Sequence, residues 1–417
     1  MHLEIGRIER GSKEYRRANL ALFIGGFVTF STLYTVQPLL PLYVAEFAVS
    51  PATASLALST ATFALAWMLP ISGSFSDAHG RKPLMGTAMV LTALLALVTS
   101  ASTTMTSLLA VRLLQGAVLA GVPAVAMAYL NEEMSPKAIG AAMGLYIAGN
   151  ACGGMTGRIL TAVLADHLPW RGAVAVIGIL ALVLSALFWS LLPPSRHFQR
   201  RAFHIKPLSA SLVAHLRDPG LLCLFALAFL LMGGFVTLYN YVTFYLLAPP
   251  FLLSQSQVAL IFLAYAFGAC GSSAMGGMVN RFGRTRILVA ALAIMTVGIL
   301  LTLLAPLSWV VAGIVIFTGG FFGAHTVASA WVGTRAPTAR AQASSLYLLA
   351  YYLGSSVSGT GGGYVWSCCG WTGVVLLVLT LLGLAGGVLL ALNALSPEPV
   401  KIPMAPVNAS EFGPAAE

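Results

Sequence analysis

The sequence predicts an all-α integral membrane protein of twelve transmembrane helices arranged as two six-helix repeats. A scarcity of charge, a succession of long apolar runs and an internal duplication together predict it. Of 417 residues, 58% are hydrophobic and 8% charged, with a mean hydropathy of +0.89. A soluble domain carries about a quarter charged residues, so this chain cannot clothe a water-facing surface. A cytosolic enzyme is therefore excluded.

A spanning helix needs roughly 20 mostly apolar residues. Such runs lie at 19–43, 54–75, 84–101, 107–130, 139–164 and 172–193, and again at 220–247, 256–277, 287–306, 308–332, 341–366 and 372–395. The first run follows seventeen mixed-charge residues and lacks a small-residue cleavage site, so it reads as a span and not as a signal peptide. The expected organisation is a tail (1–18), a six-helix half (19–193), a polar linker (194–219), a second half (220–395) and a disordered tail (396–417) rich in proline.

With the N-terminus inside, 19 of the 22 Lys and Arg residues fall in cytoplasmic segments. Arg171 is outside, and Arg112 and Arg158 lie within spans. This is the positive-inside pattern for an even number of spans with both termini cytoplasmic. It also accounts for the net charge of +10 without a nucleic-acid partner, because the basic residues are spread along one membrane face. The five cysteines lie in or beside apolar runs and have no metal-ligand spacing, so neither a metal site nor a disulfide framework is expected.

The halves are copies. Gly25-Gly26-Phe27-Val28-Thr29 recurs as Gly233-Gly234-Phe235-Val236-Thr237, an offset of 208, and Gly80-Arg81 recurs as Gly283-Arg284, an offset of 203. Pro136, Leu145, Tyr146, Gly153, Trp170 and Gly172 recur as Pro337, Leu346, Tyr347, Gly354, Trp371 and Gly373 at one offset of 201. Two similarly oriented six-span halves around a midplane site suit alternating-access transport.

Between spans 2 and 3 stands Gly73-x3-Asp77-x2-Gly80-Arg81-Lys82. The chain must reverse here within a few residues. Gly80 supplies the φ > 0 of a tight turn, Gly73 permits close helix contact, and Asp77 can pair with Arg81 or a helix N-terminus. The second copy keeps Gly276, Gly283 and Arg284, with Asn280 in place of the acid. The first segment resembles the loop 2–3 signature of the major facilitator superfamily, and the resemblance extends over about residues 19–395. It implies that family's fold, with Asp77 bracing a cytoplasmic gate against the start of span 11 near Arg340.

Span 4 contains Arg112-x2-Gln115-Gly116, similar to a motif of the superfamily's drug:proton antiporters, whose arginine is implicated in proton coupling. An arginine within a span costs about 2.5–3.5 kcal/mol on insertion scales and so needs a partner or water. The alternative is that Arg112 snorkels to the outer headgroups. In span 5, Gly149, Gly153 and Gly157 form one stripe that lets another helix approach. That stretch resembles the antiporters' span 5 motif, but Asn150 replaces its proline and Leu145 interrupts an upstream glycine position.

None of the 12 acidic residues lies mid-span, so protonic coupling must use Glu46 at the outer end of span 1 or His325, beside the coupling role that the antiporter resemblance implies for Arg112 with Gln115. His325 is the sole mid-span histidine, with an ordinary pKa close to working pH; a packing role is the alternative. The substrate-binding candidates are Tyr34, Gln37, Asn150, Tyr239, Asn240, Tyr241, Tyr265, His325, Tyr347 and Tyr351. Rich in tyrosine and lacking acid, this set favours a neutral, weakly polar or anionic solute over a cation.

The expected function is proton-coupled efflux of a small organic solute (a drug-like compound, sugar or metabolite) across the bacterial inner membrane. The alternative is proton symport importing a small organic acid or sugar. No Walker sequence, cofactor motif or nucleophile cluster stands in the chain, so no cofactor and no enzymatic role are expected. The expected partners are a small-molecule substrate, protons and the lipid bilayer, with the chain acting as a monomer.

Overall fold

The computed structural model describes residues 6–198, 200, 212–336 and 338–395. The tail expected to be disordered, 396–417, and most of the linker, including His204, lie outside the described residues. Helix α1 spans Lys13–Phe47, α2 Pro51–His79, α3 Arg81–Ser100, α4 Met105–Glu133, α5 Ile139–His167 and α6 Trp170–Leu191. After the linker come α7 Pro219–Leu247, α8 Gln255–Phe282, α9 Arg284–Leu301 and α10 Leu307–Arg335. The run Arg340–Leu395 is broken at Gly370 (φ 57°, ψ −149°) into α11 (340–369) and α12 (371–395).

By apolar length alone, ten stretches among the described residues qualify to cross a bilayer. That number takes Gln342–Leu395 as one stretch and leaves out α5, a 29-residue helix diluted by glycines and Arg158. With both restored, the twelve expected helices are present. Leu114, Ile179, Val183, Leu376 and Leu390 are among many large apolar residues on the outside. In water such a surface would aggregate; in a bilayer it is the solvated one.

Local chemistry sets the helix ends. Ser12 Oγ accepts the Tyr15 N–H at 3.0 Å, and Ser50 Oγ accepts the Thr53 N–H at 3.1 Å ahead of Pro51. Asp218 Oδ1 accepts the N–H groups of Gly220 and Leu221 at 2.8 and 3.0 Å, capping α7, and takes Arg335 Nε at 2.9 Å. Burial pushes the Asp218 carboxyl up, but these donors and the Arg335 charge outweigh it and hold the pKa below the usual carboxylate value. Gly80 and Gly283 take φ of +102° and +86°, the left-handed turns that the duplicated motif requires.

Packing repeats with the sequence. Helix α1 lies on α5 and α6, and α7 lies on α11. A Cβ at Gly153 would strike the Phe27 backbone, and a Cβ at Gly354, its duplicate, would strike the backbone of Phe229. Between the halves, α2 meets α11 and the outer end of α5 meets the start of α8. Thr62 and Ser356 hydroxyls lie 2.8 Å apart, Thr360 donates to Ser59 at 2.9 Å, and Asp166 accepts the Gln255 and Ser256 N–H groups at 3.1 and 2.7 Å. All of these contacts lie near mid-bundle or toward the end away from Lys13 and Leu395.

At the opposite end the ion pairs among the described residues stay within one half. Asp77 meets Arg81 at 2.6 Å, Arg81 meets Glu132 at 2.6 Å, and Asp218 meets Arg335 at 2.9 Å. Cβ atoms at Gly73, Gly140, Gly144 and Gly277 would meet nothing within 4 Å. The halves are joined at one end and parted at the end that carries the described termini.

A central cluster between the halves

The expected gate does not close in this conformer. Asp77 pairs with Arg81 on its own turn and not with Arg340, whose Nε donates to Ala336 O at 3.3 Å. Gly73 does not support a close helix contact, and a Cβ at Gly276 would meet only Thr326 Cγ2, at 3.5 Å. The physical reason is the parting of the halves: nothing stands within 4 Å of a Cβ at Gly73, so these residues have no opposing surface to press against. Arg81 is nevertheless well seated, donating to Ser76 at 3.0 Å and, through Nε, to Glu132 at 3.0 Å. Lys82 donates to Leu192 O at 2.5 Å.

Helix α1 breaks in its outer third. The helix ends at Tyr34, a 3₁₀ turn runs over Gln37–Leu39, and Leu40–Phe47 resumes. Pro38 and Pro41 have no N–H, so carbonyls one turn earlier lose their helical partners. The α1 carbonyls that Arg112 reaches lie just ahead of those, in the last turn before the break. Arg112 Nη1 donates to Thr32 O at 3.1 Å, Nη2 to Leu33 O at 2.6 Å and Nε to Ala57 O at 2.8 Å. Nη1 also donates to Gln115 Oε1 at 2.5 Å, and Gln115 Nε2 donates to Thr92 O at 3.1 Å. With 0% exposure, Arg112 does not snorkel to the headgroups. It is bound to backbone carbonyls of α1 and α2 and fixes the break on which Gln37 stands.

Gln37 joins the halves. Its Nε2 donates to Asn240 Oδ1 on α7 at 2.7 Å, and its Oε1 accepts Arg158 Nε on α5 at 2.5 Å. Arg158 also donates to Gly154 O at 2.5 Å, and its guanidinium carbon lies 3.7 Å from the Tyr34 ring centroid, 4.9 Å from Tyr265 and 5.5 Å from Phe262. Tyr239 packs beside them at 5.3 Å from Tyr265, its hydroxyl 2.8 Å from Thr318. Of the expected substrate contacts, Tyr34, Gln37, Tyr239, Asn240 and Tyr265 are thus brought together around one cation.

The remaining candidates lie in three places. His325 Nδ1 is 3.0 Å from the Tyr347 hydroxyl, and its ring is 4.8 Å from Tyr351, a group that reaches the central cluster through Phe321 and Phe235. Tyr241 donates to Gly359 O at 2.5 Å and stacks on Phe244 and Trp366, away from the cluster. Asn150 packs against Gly26 in the α1–α5 contact, its Oδ1 buried without a partner. Gly149, Gly153 and Gly157 form the α5 surface that receives the backbones of Phe23, Phe27 and Ser31, as their spacing implies. Glu46 pairs with Arg171 at 2.6 Å at the outer surface.

Arg158 is the central residue that motif reading passes over. The insertion cost that singles out Arg112 applies equally to Arg158, but no motif draws attention to it. The four-way aromatic and amide setting emerges only when α1, α5, α7 and α8 are assembled. Among the described residues, no group of His, Cys, Asp and Glu could hold a metal ion.

The Major Facilitator Superfamily pattern matches residues 22–249. The chain is 46% identical over 375 residues to the uncharacterized MFS-type transporter YybF of Bacillus subtilis (strain 168), covering 90% of this chain and 93% of that one. It is 45% identical over 378 residues to the inner membrane transport protein YnfM of Escherichia coli (strain K12), covering 91% of each. In fold it is similar to a variant of the nucleoside transporter NupG, with a TM-score of 0.76 at 15% identity over 91% of this chain and 100% of that one. A multi-pass chain with such bacterial relatives fits the bacterial inner membrane. Its fold and its relatives place this chain in the major facilitator superfamily, as a transporter.

Proposed function

We propose that the protein is a proton-coupled secondary transporter that exports a small organic solute by alternating access, working as a monomer in the bacterial inner membrane. One observation carries this reading: the central cluster takes side chains from both halves, and among the described residues the main contacts between the halves lie on one side of it. A site held between two bodies that rock about it can face each side of the membrane in turn. The basic residues put both termini in the cytoplasm, so the parted end is cytoplasmic and the conformer inward-open. His325 is the proposed proton carrier. Arg112 and Gln115 serve coupling by holding the α1 break beneath Gln37. Proton symport of a small organic acid into the cell is the second reading, favoured by the buried Arg158.

Purified protein in liposomes with an internal pH-sensitive dye tests this under an imposed proton gradient. Proton movement tied to one added solute supports coupling, and its direction separates export from import. Solute movement without a proton signal removes the coupling role of His325, and no movement for any solute class overturns transport.

The gate assignment makes its own prediction. Asp77→Asn removes the charge that pairs with Arg81 beside Glu132 and that the gate would use as the parted ends close, so transport should fall at least several-fold at normal membrane expression. Full activity in that variant would sink the gate role.

A further inference from the structure

We propose that Arg158 is the anion-recognition residue of the central site and that the transported solute is an organic anion with a carboxylate-like head. This deepens the transport reading above and rests on it. Two of the buried arginines of the N-terminal half, Arg112 and Arg158, lie within spans, and their surroundings differ. Arg112 is closed off by three backbone carbonyls and Gln115, the environment of a structural residue. Among the described residues Arg158 donates to Gln37 Oε1 and Gly154 O, lies against the rings of Tyr34, Tyr265 and Phe262, and has the neutral hydroxyls of Tyr34 and Tyr265 within reach.

Arg158 is 1% exposed and, among the described residues, has no ion-pair partner. The acid nearest along its own helix is Asp166, eight residues on and so about 12 Å up the axis. Both Asp166 oxygens are taken by backbone N–H groups of α8. A buried cation offset only by neutral dipoles and ring quadrupoles is costly, and a ligand anion removes that cost.

The hydrogen-bond chain fixes the polarity of the site. Arginine can only donate, so Gln37 must turn its carbonyl toward Arg158. Its amide then donates to Asn240 Oδ1, which leaves Asn240 Nδ2 as the end of the chain. That nitrogen is buried without a partner. The unpartnered atom at the end of this chain is therefore a donor, and a donor beside a cation favours an acceptor-rich anion. A cationic solute would meet like charge at close range.

Gln37 Oε1 occupies the position on Arg158 that a carboxylate oxygen would take. An anion displacing it would release Gln37 from Arg158, the contact that orients its amide toward Asn240 in the other half. Binding would thereby loosen the closed end, the link that an alternating-access cycle requires. The solute's apolar or aromatic body would rest on Tyr34, Tyr265 and Phe262.

The test is ligand-induced change in the unfolding temperature of the full chain in detergent. The probes are acetate, hexanoate, benzoate and indole-3-acetate, each with its neutral amide and matching amine, together with glucose and arabinose. The expected result is stabilisation by one or more carboxylates and none by the amides or amines. Arg158→Gln should weaken that binding at least about 30-fold, the effect of removing one partner of a buried charge pair, and Arg158→Lys should retain part of it. A purely structural arginine would give no such charge selectivity. If Arg158→Gln fails to fold, Asn240→Ala provides the second reading, with weaker carboxylate binding expected. Stabilisation by an amide, amine or sugar that persists in Arg158→Gln overturns the inference, as does the absence of any carboxylate effect. Solute-dependent flux in the liposome assay on the same preparation would then leave the transport reading standing, and its absence would remove both.

Discussion

Arg112→Ala should be the most damaging single substitution in the membrane core. It strips donors from Thr32, Leu33 and Ala57 carbonyls and from Gln115, in a position with no access to water. An unsatisfied buried acceptor costs about 1–3 kcal/mol, so the Thr32 and Leu33 carbonyls at the helix end cost roughly 2–6 kcal/mol together, while Ala57 O keeps its own helical partner. That rivals the whole stability of many proteins. Arg112→Lys should recover little, because a compact ammonium cannot reproduce a planar fork reaching two helices. Thermal unfolding in detergent and the yield of monodisperse protein measure this directly. Wild-type stability in Arg112→Ala would show that the α1 break needs no external donor, and the structural account of Arg112 would fail.

Gly153→Leu should be nearly as severe, for the opposite reason. Gly153 meets the Phe27 backbone, so an added side chain has no flexible neighbour to displace. Helices α1 and α5 must separate, and overpacking of this kind costs about 1–3 kcal/mol, more where the obstacle is backbone. The separation would also pull Arg158 from Gln37, so transport should fall beyond what lost stability explains. Gly140→Ala is the built-in control, because its Cβ faces open space and should leave unfolding unchanged. Equal effects at 140 and 153 would contradict the packing stripe.

Much of this architecture is legible in the sequence because the bilayer simplifies the rules. An apolar run must be a helix wherever lipid leaves no other partner for its backbone, so the spans can be placed to within a few residues. The turn at Gly80 and its copy at Gly283 follow from glycine's access to positive φ, and the stripe at Gly149, Gly153 and Gly157 follows from helical spacing. The candidate site was only partly legible. Tyr34, Gln37, Tyr239, Asn240 and Tyr265 do converge, but polarity within a span does not tell which way a side chain points. Tyr241, one residue from Asn240, turns toward α11, and Asn150 is consumed by the α1–α5 contact.

By itself, then, the sequence determined the class, the span count, the duplication and the small-residue surfaces, all of which depend on residues near one another in the chain or on the solvent around it. Only the tertiary structure decided the roles of the two buried arginines. Arg112 and Arg158 carry the same charge in similar apolar runs, and their difference lies in which carbonyls and rings arrive from other helices. It likewise decided that Asp77 stays with Arg81 while the halves are parted, because a gate contact exists only when two distant helices meet. Partners 55 to 80 residues from Arg112 and 121 residues from Arg158 set those surroundings, and no local pattern encodes their approach.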